Sequence, residues 1–173
     1  MKRNFILAGL ALAAGSVFGL LPMAATAATA LHVEESATFD APPAAVWKII
    51  GRFSSLGWHP VVAETTLVQG KDNQMGAVRS VKTKDGAVIV EKLKNYEGRR
   101  LRMRYEIVES PLPVSGYVSV LHVEPAGQGS RVVWKSDFHA VRSAEVDDAK
   151  AREIVAGIYK AGFDGLRSRL ADN

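Results

Sequence analysis

The sequence predicts an α+β fold in which a curved antiparallel sheet wraps around a long C-terminal helix, with two short helices near the N-terminus. Three observations carry that expectation. Residues 63–139 contain six alternating runs separated by clusters of Gly, Pro, Asp and Asn, the pattern of an antiparallel meander. From about Ala144 to Leu170, Val146, Ala149, Ile154, Val155, Ile158, Phe163, Leu166 and Leu170 recur at helical spacing, with charged residues over the remaining surface. Near Ala44 the apolar period changes from that of a strand to that of a helix.

The chain opens on a leader. Lys2 and Arg3 form a basic start, Phe5 to Leu21 is an apolar run, and Ala25-Thr26-Ala27 and Ala28-Thr29-Ala30 follow as small-residue processing motifs. The expectation is a Sec-type signal peptide over residues 1–27, cleaved after Ala27, with cleavage after Ala30 or an uncleaved anchor as the alternatives. Residues 28–173 then form one domain, long enough for a single core and located in the periplasm, which meets the membrane only during export. The chain has no cysteine, so lipobox acylation, disulfides and thiolate chemistry are excluded. Loss of Lys2 and Arg3 lowers the basic residues from 22 to 20 against 18 acids, and the net charge from +4 to +2. No basic run carries interleaved aromatics, which argues against nucleic acid as a partner. Arg100, Arg102 and Arg104 alternate as the solvated face of a strand.

Residues 31–39 read as the first strand. Asp40 follows as an N-cap, Pro42 and Pro43 fit a first helical turn, and Val46, Trp47, Ile49, Ile50 and Phe53 recur at helical spacing. A second short helical turn is expected over Ser55 to Trp58, broken by His59-Pro60. Strands are expected at 63–69, 77–83, 88–96, 101–109, 117–124 and 131–139. Asp85-Gly86 marks a tight hairpin, with both residues suited to positive φ.

Alternation assigns faces within these strands. Ile89, Glu91 and Leu93 share one face, as do Ala77, Arg79 and Val81. An isolated charge among such neighbours is costly. Arg79 and Glu91 therefore either meet or both reach a polar part of a cavity; the alternative is that these strands turn the other way and both charges are on the surface. Tyr105 follows Leu101 and Met103, Tyr117 precedes Ser119 and Leu121, and Trp134 lies between Val132 and Ser136, with Phe138 beyond. Aromatic rings with a polar tip suit an amphipathic ligand, although such a stripe also serves as plain core. Buried Tyr hydroxyls need partners, for which Arg79 and Glu91 are the candidates. His32, His122 and His139 show no two-His-plus-carboxylate spacing, so neither a metal nor another cofactor is expected. No nucleophile elbow, phosphate loop or dinucleotide fingerprint is present.

In order along the chain, Thr38-Phe39-Asp40-Ala41-Pro42-Pro43-Ala44-Ala45-Val46-Trp47, Trp58-His59-Pro60, Gly76-Ala77-Val78-Arg79, Glu91, Tyr105, Leu112-Pro113, Tyr117 and Gly129-Ser130-Arg131-Val132-Val133-Trp134 resemble the START-like, Bet v 1-like superfamily. Within it, they are most similar to the polyketide cyclase/dehydrase and lipid-transport branch. The resemblance spans the whole chain after the leader and implies a helix-grip fold. It also implies that the loops holding His59 and Leu112 border a cavity mouth. The candidate cavity residues are thus Trp58, His59, Arg79, Glu91, Tyr105, Leu112, Tyr117, Trp134, Phe138 and Ile158. Three functions are consistent with this: an exported carrier of a small apolar or amphipathic molecule, an accessory protein, or a cyclase or dehydratase. The accessory role follows from a resemblance to periplasmic proteins found with bacterial methanol oxidation, and implies a protein partner such as an oxidoreductase. The enzyme would use Glu91, Arg79, Tyr105 or His59 for proton transfer.

Overall fold

β1 (Leu31–Phe39) begins the regular structure of a computed structural model that describes residues 29–172. The expected leader and the expected cleavage position after Ala27 lie outside the described residues. Among those described, no helix is long and apolar enough to cross a membrane. After β1 come α1 (Pro43–Ile50), β2 (Val62–Gln69), β3 (Val78–Thr83) and β4 (Val88–Glu97). A short 3-10 turn at Gly98–Arg100 leads to β5 (Arg102–Glu109), β6 (Val114–Ala126), β7 (Gly129–Ala140) and α2 (Asp148–Ala171).

The strands form one antiparallel sheet in the order β1-β7-β6-β5-β4-β3-β2. It curves around α2, which gives the expected helix-grip arrangement. Each hairpin joins neighbours in sequence, while β1 returns to pair with β7, Leu31 facing Phe138 and Phe39 facing Ser130. α2 buries Ala151, Val155, Tyr159, Gly162, Phe163 and Leu166. They share one buried core with Leu93, Met103, Leu121, Val132 and Phe138 of the sheet. Each fully buried side chain of this size contributes about 1.5–3 kcal/mol.

Several local expectations are corrected. Asp40 does not cap α1: the N-cap position is Pro42, whose carbonyl accepts the N–H groups of Ala45 and Val46 at 2.9 and 3.2 Å. α1 stops at Gly51, where the Trp47 ring folds over the backbone and a Cβ would lie 2.5 Å from its Cε2. The second short helix does not form; residues 55 and 56 are irregular and residues 57 and 58 form a turn. The N–H groups of Phe53, Ser54 and Leu56 are satisfied instead by side chains of Asn73, Asp72 and Thr65 at 2.8, 2.8 and 3.2 Å. In the β3–β4 hairpin only Gly86 has positive φ, at 91°, and its N–H closes the turn on the Thr83 carbonyl at 3.0 Å. α2 begins at Asp148 rather than Ala144. Asp147 caps it through the Lys150 N–H at 2.8 Å, and Arg142 grips Asp148 with two bonds of 2.9 and 2.7 Å.

Candidate ligand cavity

Between the sheet and α2 lies a cavity of about 500 Å³. Val81, Ile89, Glu91, Tyr105 and Ile107 line it from β3 to β5, and Tyr117 and Trp134 from β6 and β7. Ile154, Val155, Ile158 and Tyr159 close it from α2. Exposed Pro60, Val61, Lys84, Asp85 and Pro111 border its rim, with Leu112 half-buried beside them. Apolar walls with a few converging polar groups are the composition of a small-molecule pocket.

The first polar group is an ion pair. Antiparallel register sets Arg79 of β3 directly opposite Glu91 of β4. Arg79 Nε donates to Glu91 Oε2 at 2.6 Å, and Nη1 donates to the Phe53 carbonyl at 2.7 Å. The guanidinium also lies 4.3 Å from the Phe53 ring centroid and 5.2 Å from that of Tyr105. Arg79 is 3% exposed and Glu91 11% in their side chains, and only Glu91 lines the cavity.

The second is a chain of hydroxyls across the sheet and onto the helix. Trp134 Nε1–H is shared between the Tyr105 hydroxyl at 2.8 Å and Ser119 Oγ at 3.0 Å. Ser119 in turn donates to the Lys135 carbonyl at 2.9 Å. The Tyr117 and Tyr159 hydroxyls are 2.5 Å apart, and the Trp134 ring stacks on Tyr159 at 4.5 Å. A register shift between Ser115 and Val118, at Gly116 with φ 60°, turns both Val114 and Tyr117 inward. Burial raises the pKa of all three phenols, helped by the Glu91 charge at Tyr105 and by Tyr159 at Tyr117. They are therefore neutral hydroxyls at physiological pH.

His59 completes the wall. Its Nε2 meets the Ile158 carbonyl at 2.9 Å and its Nδ1 accepts the Val61 N–H at 3.4 Å, so the proton sits on Nε2. Burial lowers its pKa, opposed by the Ile158 carbonyl, and the ring is neutral at pH 7. The Trp58-His59-Pro60 segment can approach α2 because the helix carries glycine there. A Cβ on Gly165 would lie 2.2 Å from the Trp58 carbonyl oxygen, and one on Gly162 would lie 2.7 Å from Trp134 Cζ3.

Residues 30–171 match the sequence family described as polyketide cyclase/dehydrase and lipid transport. The chain belongs to this family. Among curated proteins, no sequence matches. The solved structure of the protein XoxI from Bacillus cereus is similar at 31% identity and a TM-score of 0.74, over 82% of this chain and 96% of that one. A Nitrosospira multiformis protein is similar at 25% identity and a TM-score of 0.69, over 80% and 94%. Ara h 8.0201, at 18% identity and a TM-score of 0.65 over 84% and 100%, shares the fold.

In this family member, His59, Glu91, Tyr105, Leu112, Tyr117, Trp134 and Ile158 line the cavity. Trp58, Arg79 and Phe138 do not; they stand behind the lining. Trp58 packs on His59 and Trp134 with centroids at 5.8 and 5.7 Å, and Phe138 backs Tyr117 at 6.0 Å. The Tyr hydroxyls find Trp134 and Tyr159, not Arg79 and Glu91, because register brings Tyr105 beside Ser119 and places Trp134 one strand further on. Sequence reasoning omitted Tyr159, the helix residue around which the polar chain is built. Its signal was present: it lies four residues after Val155 and four before Phe163, on the buried stripe. Among the described residues, no cluster of three His, Asp or Glu side chains could hold a metal.

Proposed function

We propose that the protein is an exported carrier that holds a small apolar or amphipathic molecule between its sheet and α2. The observation that carries this reading is the cavity of about 500 Å³, apolar on most sides with Glu91, Tyr105, Tyr117 and Trp134 in its wall. Membership of a family whose description includes lipid transport supports it. The leader supports the periplasm as the compartment. The test is mass spectrometry of the protein exported by its native host, under native conditions and again after denaturing extraction. A small molecule released in stoichiometric amount is the expected result; a bare chain from every preparation is the result that removes it.

A second reading is an accessory protein acting on a periplasmic oxidoreductase, such as a methanol-oxidation system, in which case the native mass includes a partner chain. It rests on the sequence resemblance to such accessory proteins and is supported by the similarity to XoxI over 96% of that chain.

A further inference from the structure

We infer that the polar end of the cavity selects a neutral ligand that donates a hydrogen bond (an alcohol, phenol or amide N–H) and disfavours carboxylate and ammonium head groups. The inference rests on the cavity being a ligand site, as proposed above, and follows from how the Arg79–Glu91 pair is divided between wall and interior.

Arg79 Nε occupies Glu91 Oε2 and Nη1 occupies the Phe53 carbonyl. With a side chain 3% exposed and no place in the lining, Arg79 is turned away from the cavity. Glu91 lines it, and among the described residues no donor engages Oε1. The other charged lining residues, Lys84 and Asp85, are exposed at the rim. The interior therefore presents an acceptor whose charge is already balanced from behind.

A carboxylate brought to that point would meet a second anion with no cation facing it. An ammonium would pair with Glu91 but leave the guanidinium as a net positive charge in apolar surroundings, which is also unfavourable. A neutral donor completes the acceptor and adds no charge. An ether or ester oxygen offers no proton to Oε1.

The experiment uses probes with one tail and four heads. N-phenyl-1-naphthylamine is bound to the mature protein and displaced by 1-dodecanol, 1-methoxydodecane, dodecanoate or dodecylammonium. The expected result is that dodecanol binds at least about tenfold more tightly than the other three, the size of a hydrogen bond to a charged acceptor. Glu91→Gln keeps a carbonyl oxygen for Arg79 and turns an amide donor toward the cavity. That variant should lose affinity for dodecanol and gain affinity for dodecanoate, reversing their order. Equal binding of dodecanol and its methyl ether by the unaltered protein overturns the inference, as does a preference for dodecanoate. That comparison decides the matter even where the variant fails to fold. If neither the dye nor any probe binds, the cavity reading falls, and this inference with it.

Discussion

Replacing Glu91 by Ala removes the one carboxylate paired with a guanidinium that is 3% exposed. Breaking a buried ion pair from one side costs about 3–5 kcal/mol, because the remaining charge has no counter-ion. Arg79 would keep the Phe53 carbonyl at 2.7 Å and the flanking rings of Phe53 and Tyr105. Those contacts place the expected loss at the lower end, about 3 kcal/mol. Removing both side chains leaves no charge stranded, so the double Ala variant should lose less stability than Glu91→Ala alone. Urea unfolding followed by far-ultraviolet circular dichroism measures each variant. At about 1–3 kcal/mol per molar urea, the Glu91→Ala midpoint falls by roughly 1–3 M. Additive losses around the four-member cycle would refute the buried pair as an energetic unit.

Two helical glycines should respond with opposite sign. Gly162→Ala forces a methyl within 2.7 Å of Trp134, 3.0 Å of His59 and 3.2 Å of Trp58, and should destabilise by about 1–3 kcal/mol. Gly157→Ala meets nothing within 4 Å and should stabilise by about 0.5–1 kcal/mol; thermal unfolding reads both. His59 has a folded pKa below its ordinary 6.5, so unfolding takes up a proton between those two values. Its stabilising contribution is complete above about pH 6.5 and is lost as pH falls through that window. His122 shifts the same way, so the stability difference between the unaltered protein and His59→Gln, measured from pH 7 to 5, isolates the His59 share. N-terminal sequencing of the exported protein should begin Ala28-Thr29-Ala30; a start at Leu31 places cleavage after Ala30, and retention of Met1 rejects processing.

What could be read from the sequence was what depends on local period. Alternation alone put Arg79 with Val81 and Glu91 with Leu93, and the structure buries all four. The C-terminal stripe was legible for the same reason, although Tyr159 with its polar tip and Gly162 with no side chain are buried on it without belonging to its run of large apolar residues. What was not legible depends on partners distant in sequence. A short helical turn was expected over Ser55 to Trp58, yet the chain entering it is held from elsewhere: Asn73 and Asp72 of the β2–β3 loop accept the N–H groups of Phe53 and Ser54, and Thr65 of β2 accepts that of Leu56. Inward-facing direction also does not tell which side chains reach the void. Trp58 and Phe138 are buried but covered by His59, Trp134 and Tyr117, neighbours that only the folded chain brings together. The same holds for the Tyr105 hydroxyl, whose partner Trp134 lies across β6.

Isotope-filtered nuclear Overhauser spectroscopy shows whether a ligand occupies the space between sheet and α2. The spectrum would be recorded on methyl-labelled protein with unlabelled 1-dodecanol. A ligand seated there gives contacts from its alkyl chain to the methyl groups of Ile107, Leu112 and Ile158 in the cavity wall. Contacts confined to Val68 and Met75, which are 57% and 78% exposed, would contradict it.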